Sequence, residues 1–278
     1  MSYKRILTIQ DISCVGQCSI TVALPIISAC AHETCILPSA VLSTHTGGSF
    51  SGFTFNDLSE DFPKIKEHWL KQCISFDAIY TGYLGTAKQI DYVCDIFGSL
   101  KRDGGKIIVD PAMADNGVLY TGFDDEYVEG MRYLCSKADI ILPNITEACL
   151  MTETPYKESY GKEYINGLVS KLADICSGTV ILTGVSYNDR EVNVVIAENG
   201  EQKNYTHRKI LKSYHGTGDV FSSSFVGAFM HGLGVFDAVK IASDYTVECI
   251  ENTIDDEAHW YGTKFETAIP SLIRMLEL

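Results

Sequence analysis

The feature that most constrains the fold of this chain is a series of short, almost continuously hydrophobic runs. Each run is bounded by Gly, Pro or Asp and holds apolar or β-branched residues, as is typical of strands buried on both faces of a parallel sheet. The runs are ILTI (6–9), DAIYTGY (77–83), KIIVD (106–110), DIILP (139–143) and TVILTG (179–184). The sequence therefore predicts at least these strands in one central sheet.

The segments that separate these runs predict helices. In residues 87–102 and 163–176, apolar side chains return every three or four positions. Two further helices are predicted over 218–234 and 236–252. Because strands and helices alternate, the predicted fold class is α/β, with a central, mostly parallel sheet and helices on both of its faces.

Two regions interrupt this alternation. Residues 186–214 predict a β-hairpin, REVNVVIA followed by a turn at 198–200 and a polar return. Residues 34–55 mix strand-like residues with glycines and predict edge strands or a small flap outside the main sheet. We find no repeat or linker, and a chain of 278 residues that is 46% hydrophobic suits one domain spanning residues 1–278.

Charge and cysteine usage narrow the functional class. The formal net charge of -14 excludes a broad electrostatic attraction to nucleic acid or to an anionic membrane. The N-terminus lacks a signal-peptide pattern and no apolar run is long enough to span a bilayer, so a cytoplasmic protein is expected. The ten cysteines are scattered without a CxxC pair, and we expect them to be reduced and mostly to fill the core.

Polar residues follow the predicted strands at the positions where open α/β sheets bind ligands, which are the carboxyl ends of the strands. The chain lacks the GxxxxGK[ST] loop and the GxGxxG pattern, so a bound nucleotide needs another device. The polar residues that follow the strands are Gln10, Asp11, Tyr83, Asp110, Asn144, Glu147 and Thr183.

The segment HGTGDVF (215–221) offers such a device. Gly216 and Gly218 allow backbone amides to converge at a helix N-terminus, where unpaired N–H groups and the helix dipole favour an anion. Asp219 is then placed to accept a proton from an attacking hydroxyl group. The same pattern also fits a helix N-cap at Asp219, and the local sequence leaves both interpretations open.

Asn144 and Glu147 carry two interpretations as well. They are three residues apart at a strand-to-helix junction, so on a first helical turn they share a face. There they can hold a water shell around Mg²⁺, which prefers oxygen ligands. The alternative is a capping box, with Asn144 as the cap and Glu147 at the third helical position; the two interpretations are compatible.

Taken together, five segments resemble one family, the pyridoxal (vitamin B6) kinase branch of the ribokinase-like small-molecule kinases. The glycine-rich segment alone indicates only a ribokinase-like protein, whereas TGYLGTAKQ and STHTG narrow the resemblance to B6 kinases. In chain order, the five segments are STHTG (43–47), TGYLGTAKQI (81–90), VDPAMADNG (109–117), PNITEA (143–148) and HGTGD (215–219).

This resemblance implies a ribokinase-like fold and the phosphorylation of the 5'-hydroxymethyl group of pyridoxal, pyridoxamine or pyridoxine by MgATP. By the family's pattern, Asp219 is the catalytic base, and Gly216, Thr217 and Gly218 form the anion hole. A monovalent cation is a further implied ligand, and a homodimer is implied with residues 34–55 as a plausible interface.

The resemblance also implies the ligand contacts. Part of 186–214 would cover the nucleotide. The residues implied to bind ATP are Asp110, Asn144, Glu147, Thr183, Gly216 and Gly218, with Mg²⁺ held through water by Asp110 and Glu147. The residues implied to line the vitamer pocket are Asp11, His45, Thr46, Gly47, Tyr83 and Asp219.

Asp11 departs from the family's pattern, because many B6 kinases carry a serine at this position. A carboxylate here can pair with a cationic amine, which pyridoxamine has and pyridoxine lacks, so we expect a preference for pyridoxamine. The alternative role of Asp11 is to cap the following loop or helix. Two alternative functions stay open: a hydroxymethylpyrimidine kinase of thiamine synthesis, whose relatives place an Asp early in this loop, and a catalytically silent protein that binds pyridoxal phosphate.

Overall fold

A single sheet organises the computed structural model, which describes residues 3–212 and 214–278. Within these residues the sheet has nine strands, and a separate two-stranded hairpin lies outside it. In spatial order the strands of the sheet are β11 (Glu201–Arg208), β10 (Glu191–Glu198), β9 (Thr179–Val185), β8 (Ile140–Ile141), β5 (Lys101–Val109), β4 (Phe76–Thr81), β1 (Arg5–Ser13), β2 (Glu33–Leu42) and β3 (Phe55–Asp57).

The centre of the sheet is parallel and its two edges are antiparallel. Strands β2, β1, β4, β5, β8 and β9 pair in parallel, whereas β3 at one edge and β10 and β11 at the other run antiparallel. The chain proceeds from β1 outward to β2 and then returns to β4 on the other side of β1. This reversal of strand order between β1 and β4 creates a crevice at the carboxyl ends of the strands.

Helices cover both faces of the sheet, as the sequence predicts. One face carries α2 to α6 and the other carries α1, α7, α8 and α9. The helices are α1 (Ile20–Ala29), α2 (Phe62–Lys71), α3 (Ala87–Leu100), α4 (Asp125–Cys135), α5 (Ile145–Met151), α6 (Lys162–Ile175), α7 (Thr217–His231), α8 (Val235–Glu251) and α9 (Ile269–Met275). None of the helices within the described residues has the length and apolarity that crossing a bilayer requires.

The hydrophobic runs are continuous because each strand faces two helical layers. Along β5, Ile107 and Val109 pack into the layer of α2 to α6, while Ile108 between them packs into the opposite layer. Leu7 and Ile6 of β1 divide in the same way. Successive side chains of a strand point to opposite faces, so a strand enclosed on both faces is apolar at every position.

Several element boundaries differ from the predictions. Strand β1 runs to Ser13 rather than ending at residue 9, so Asp11 lies inside the strand and not after it. Residues 34–42 form most of β2 within the main sheet, and β3 forms its edge, so the strand interpretation of 34–55 is confirmed and no part of β2 lies outside the sheet. Opposite Asp11 the pairing of β1 with β2 shifts register, an irregularity that is common beside active sites.

The separate hairpin was absent from the predictions. It consists of β6 (Ala114–Asp115) and β7 (Val118–Leu119), with Asn116 and Gly117 at its turn. Both turn residues have positive φ, 50° and 79°, as the tight two-residue turns of hairpins require. The Asn-Gly pair within VDPAMADNG is the sequence pattern that indicates this turn. In the sequence analysis this segment supports only the resemblance to the family, and no hairpin is predicted from it.

Aromatic residues of α7 fill the core, whereas the cysteines do so only in part. Phe221 and Phe225 are buried and Phe229 packs against the same core cluster. All ten cysteines are free, but only half of them are buried. Of the two in the loop after β1, Cys14 is exposed and Cys18 is half-buried, so the prediction that cysteines mostly fill the core is only partly met.

Candidate active site

Two adjoining cavities lie at the carboxyl edge of the sheet. Cavity A has a volume of about 400 Å³ and cavity B of about 370 Å³. Cavity A is lined by Asp11, His45, Thr46, Gly47 and Tyr83, together with other residues of β1 and the hairpin. Cavity B is lined by Asp110, Asn144, Glu147, Thr183, Thr217 and Gly218. Every site residue predicted from the sequence therefore lines one of the two cavities.

Asp219 lines both cavities and so marks their junction. Helix α7 takes Gly216 as its N-cap, which makes Asp219 the third residue of the helix. The N-cap interpretation of Asp219 is therefore wrong, because the glycine two residues before the predicted helix start already ends the preceding turn. Asp219 keeps part of its surface open to the cavities, and protein encloses the rest.

Burial raises the pKa of Asp219 to about 8, and the charge of Asp110 acts in the same direction. The backbone N–H of Ser19 acts in the opposite direction, because a hydrogen-bond donor favours the carboxylate. A carboxyl group with a pKa near neutrality is a stronger base than an ordinary aspartate. Such a shift is characteristic of groups that exchange a proton during catalysis.

The two positions before Asp219 that are occupied by glycine, 216 and 218, require or allow glycine for different structural reasons. Gly216 has a φ of 76°, and a Cβ built on it would lie 1.9 Å from the carbonyl oxygen of Gln17, so only glycine fits there. A Cβ on Gly218 would meet no atom within 4 Å, so this position leaves space open in cavity B. The first amides of α7 have no partner within the helix, and they face a space in which an anion fits.

Asp110 and Glu147 form a buried acidic pair in cavity B. The hydroxyl group of Ser222 donates to Oδ2 of Asp110 at 2.7 Å. The backbone amides of Asn144 and Met113 donate to the two oxygens of Glu147 at 2.8 and 3.2 Å. Burial is the first cause that raises the pKa of each carboxyl group, and for Glu147 the charge of Asp110 adds to it.

The capping-box interpretation of Asn144 and Glu147 is confirmed. Oδ1 of Asn144 accepts from the Glu147 amide at 2.9 Å, and the Glu147 carboxylate accepts from the Asn144 amide. Nδ2 of Asn144 donates to the carbonyl of Ala114, which fixes the hairpin to this junction. The box therefore serves the fold, while the carboxylate of Glu147 still borders cavity B.

The acidic pair fits a magnesium ion that binds through water. The atoms that the pair of Asp110 and Glu147 offers to a metal are carboxylate oxygens. Both oxygens of Glu147 already accept backbone hydrogen bonds, which favours contact with a metal through water. Among the described residues, no cluster of three or more His, Cys, Asp or Glu side chains can hold a metal by itself. Mg²⁺ commonly keeps several waters and takes one or two carboxylates plus phosphate oxygens, which matches this arrangement.

In cavity A, Asp11 is only 4% exposed. Its Oδ2 accepts a hydrogen bond from the hydroxyl of Ser13 at 2.9 Å, and burial raises the pKa of its carboxyl group. The N-cap of α1 is Ser19, and no side chain caps that helix. The interpretation of Asp11 as the cap of the following helix is therefore wrong.

His45 holds loops together with both of its ring nitrogens. Nδ1 accepts from the amide of Gly47 at 3.0 Å, so the proton lies on Nε2, which donates to the carbonyl of Tyr261 at 3.0 Å. Because both nitrogens are occupied, His45 offers cavity A only the surface of its ring. Tyr83 faces the same cavity and packs against Phe123, with 5.3 Å between the ring centroids.

The charged side chains on the walls of the two cavities are acidic. Their walls carry the carboxyl groups of Asp11, Asp110, Asp115, Glu147 and Asp219. Among the described residues that line these cavities, none is Lys or Arg. An anionic ligand must therefore be held by other groups, such as backbone amides, polar side chains or a bound cation.

Several residues of the site were absent from the predictions. Ser13 and Ser222 support the carboxylates of Asp11 and Asp110, and Asp115 and Tyr120 of the hairpin region border both cavities. From the predicted hairpin 186–214, Val192, Val194 and His207 line cavity B, as expected of a segment beside the nucleotide.

The raised pKa of Asp219 predicts the pH dependence of stability. Because the folded protein holds this proton up to about pH 8 while an unfolded aspartate loses it near pH 4, ionisation increasingly destabilises the fold between these values. Asp219→Asn should therefore raise the Tm of the ligand-free protein, with a gain that grows from about pH 5 to about pH 8. A gain of about 1 kcal/mol corresponds to roughly 2 °C for a chain of this size.

The matched control for this measurement is Asp125→Asn, which alters an exposed aspartate in the first turn of α4. Thermal melting of both variants and of the wild type is compared at the two pH values. If D219N has no gain in Tm that increases with pH, the carboxyl group of Asp219 is not destabilised by its burial.

Comparisons with known proteins agree with this fold. The family model described as phosphomethylpyrimidine kinase matches residues 53–263. A crystal structure from Bacteroides thetaiotaomicron, provisionally assigned as a phosphomethylpyrimidine kinase and solved with pyridoxal, is 36% identical with a TM-score of 0.92, and the match covers 98% of this chain and 96% of that one. The pyridoxal kinase of Lactobacillus plantarum is 27% identical with a TM-score of 0.91, and the match covers 99% of each chain.

A curated Caenorhabditis elegans protein, provisionally assigned as a pyridoxal kinase, is 27% identical over 156 residues. The match covers 55% of this chain and 48% of that protein, so it spans about half the length of this curated relative. The two solved structures match over nearly their whole lengths and share the ribokinase-like architecture. On the extent of the family match and of these structural similarities, the chain belongs to the phosphomethylpyrimidine kinase family, which makes it a kinase of the type that includes pyridoxal kinases.

Proposed function

We propose that this chain transfers the γ-phosphoryl group of ATP to the 5'-hydroxymethyl group of a B6 vitamer, with pyridoxamine favoured. The observation that carries the proposal is the position of Asp219 at the junction of the two cavities. Cavity A, on the side of Asp11 and Tyr83, takes the vitamer. Cavity B, on the side of Asp110 and Glu147, takes the nucleotide.

In the proposed reaction, Asp219 accepts the proton of the vitamer's hydroxyl group. The hydroxyl oxygen forms a bond to the γ-phosphorus, the bond from that phosphorus to the β,γ-bridging oxygen breaks, and ADP leaves. The amides at the start of α7, beside Gly216 and Gly218, stabilise the negative charge of the group in transfer. Most of the catalysis is therefore positioning and charge stabilisation rather than covalent chemistry.

Mg²⁺ neutralises phosphate charge when it is bound. The fold supplies Asp110 and Glu147 to hold it through water, and the oxygens of these two side chains are oriented by Ser222 and by backbone amides. Thr183, on β9 beside Asn144, borders the space assigned to the nucleotide. A requirement for a monovalent cation and a homodimeric state stay predictions.

The preference for pyridoxamine rests on Asp11. A carboxylate that is almost fully buried and is held by serine hydroxyl groups carries a charge that these neutral groups do not balance, and a cationic amine in cavity A supplies the missing charge. Pyridoxine presents a hydroxyl group at the same position and supplies none. The position of Asp11 on the wall of cavity A supports it as a side chain that selects among vitamers, and Asp11 does not cap α1.

A hydroxymethylpyrimidine kinase is the second candidate function. The description of the matching family favours it, and so does Asp11, because an aminopyrimidine also offers an amine to that carboxylate. Both candidates transfer a phosphoryl group to a hydroxymethyl group through Asp219. A catalytically silent protein is the third candidate, and it has no use for a raised pKa at Asp219.

The first prediction of this function concerns pH. Since Asp219 must be ionised to accept the proton and its pKa is about 8, kcat/KM should rise about tenfold per pH unit below pH 8 and level off above it. The measurement uses both substrates well below saturation, so that it reports the ligand-free enzyme. Asp219→Asn should lower kcat by at least about a thousandfold while MgADP binding persists. A profile that is flat between about pH 6 and pH 9 would contradict the role of Asp219 as base.

The second prediction concerns the metal. Because the described residues that line the two cavities include acidic side chains and no Lys or Arg, ATP with a chelator should bind at least about tenfold more weakly than MgATP by calorimetry. Glu147→Gln should raise the Mg²⁺ concentration that gives half-maximal activity. The control is Glu163→Gln, an exposed residue in the first turn of α6. Equal Mg²⁺ dependence of E147Q and the wild type would contradict the assignment of Glu147.

The third prediction concerns the acceptor. Pyridoxal, pyridoxamine, pyridoxine and hydroxymethylpyrimidine are compared in parallel by ATP consumption, and kcat/KM should be highest for pyridoxamine. A charge-assisted hydrogen bond contributes roughly 1.5–3 kcal/mol, so Asp11→Asn should reduce the ratio of pyridoxamine to pyridoxine about tenfold or more. Asp115→Asn, at another carboxylate of cavity A, should leave that ratio unchanged.

The outcomes of this assay separate the candidates. Equal kcat/KM for pyridoxamine and pyridoxine in the wild type would refute the preference. Turnover of hydroxymethylpyrimidine alone would establish the second candidate, and turnover of none of the four alcohols would favour the silent protein.

A further inference from the structure

The backbone of Gln17 supports the anion-binding turn from behind. The space in which a Cβ of Gly216 would lie is filled by the carbonyl oxygen of Gln17, at 1.9 Å from the ideal Cβ position, and Cα of Cys18 lies 3.5 Å from it. The amide of Ser19, two residues further on, favours the ionised form of Asp219. The loop at 17–19 therefore contacts both parts of the proposed catalytic apparatus.

The side chain of Gln17 is held by the C-terminal part of the chain. Its Nε2 donates to the two carboxylate oxygens of Glu266 at 2.8 and 2.9 Å. Its Oε1 lies 2.7 Å from Nε2 of His259, which donates the proton because an amide oxygen only accepts. The position of Gly262 leaves no room for a side chain, since a Cβ there would lie 2.6 Å from Cβ of Gln17.

The same C-terminal segment also holds the loop that borders cavity A. The carbonyl of Tyr261 accepts the hydrogen bond from His45. The ring of Trp260 lies against Gly48, where a Cβ would be 2.6 Å from the ring, and its centroid is 4.7 Å from that of Phe50. Residues 259–266, here called the C-terminal clasp, therefore contact two loops, at 17–19 and at 45–50, and each of these loops contributes residues to the wall of cavity A.

We propose that Gln17 is a positioning residue through which the C-terminal clasp holds Gly216 and Asp219 in the geometry for phosphoryl transfer. This proposal rests on the proposed function. Gln17 does not line cavity A or cavity B, so it acts through the turn and the base rather than on a substrate. A change at Gln17 should therefore lower kcat more than it raises the KM of either substrate, because small displacements of positioned groups are costly in the transition state.

The test is an exchange of the two bonded side chains. Gln17→Glu places a carboxylate against that of Glu266, and their repulsion should lower kcat about tenfold or more, with less than about a threefold change in either KM. In the double variant Q17E/E266Q, the amide of the new glutamine donates to the new carboxylate, and His259 still donates to it. The double variant should regain at least half of the lost kcat on a logarithmic scale. Glu266→Gln alone should lose less than Q17E, because it keeps an acceptor for Gln17.

Gln202→Glu is the matched control. Gln202 bonds the side chain of Asn166 at 3.1 Å, and this pair lies on an exposed surface outside both cavities; its kcat should equal that of the wild type. Thermal melting and calorimetric binding of MgADP show whether each variant is folded. If a folded Q17E keeps the wild-type kcat, or if the double variant is no better than Q17E, the proposal is wrong.

All variants are compared on whichever of the four alcohols the wild type phosphorylates. Lack of turnover of B6 vitamers by the wild type would refute the proposed function, and hydroxymethylpyrimidine would then serve for the comparison. Wild-type turnover with unaffected variants would refute only the role of Gln17.

Discussion

The enclosure of Asp110, Glu147 and Asp219 at one edge of the sheet is the constraint to which the rest of the site responds. Buried carboxylates repel one another and lose their hydration, and the pKa of each is raised, with burial as the first cause. Within the part of the chain that the structure describes, no Lys or Arg lines the cavities to compensate these carboxylates. In the ligand-free protein these carboxyl groups therefore lower the stability of the fold. A bound metal with its nucleotide would compensate their charge, so ligand binding would stabilise the protein.

Backbone amides, rather than cationic side chains, donate hydrogen bonds to the negatively charged groups of the site. Amides of Asn144 and Met113 bind the oxygens of Glu147, and the start of α7 presents unpaired amides toward cavity B. Backbone amides are fixed by the fold and need little reorganisation when charge develops, which suits transition-state stabilisation. Their positions depend in turn on contacts such as that between Gly216 and Gln17, so precision at the site depends on packing outside it.

The sheet could be predicted from the sequence because its signal is local. A strand enclosed by two helical layers is apolar at successive positions, as Ile107 and Ile108 illustrate, and such runs are visible without tertiary information. The polar residues that follow these strands were also correctly brought to one edge, since parallel strands end together. The resemblance to B6 kinases narrowed the candidate chemistry, and the matches to the family and to the solved structures support the kinase class.

The roles that the sequence left open or did not show belong to side chains whose partners lie far away in the chain. Nothing local distinguishes Asp219 as a base from Asp219 as a cap; in the structure the N-cap of α7 is Gly216, a position that only glycine can occupy because the backbone of Gln17 approaches it closely. His45 lines cavity A as expected, but its nitrogens are occupied by Gly47 and Tyr261, and no sequence pattern links His45 to Tyr261, which lies 216 residues away.

The hydrogen bond between Gln17 and Glu266 joins residues that are 249 positions apart. During synthesis the sheet and both helical layers can begin to assemble while the final segment is still inside the ribosome, because chains fold from the N-terminus as they emerge. The clasp can contact the two loops that border cavity A only after almost the whole chain has been made. A kinase built in this way completes this part of its site at the end of its own synthesis, and the same final segment supplies buried core residues, among them Phe265, Ala268 and Leu272.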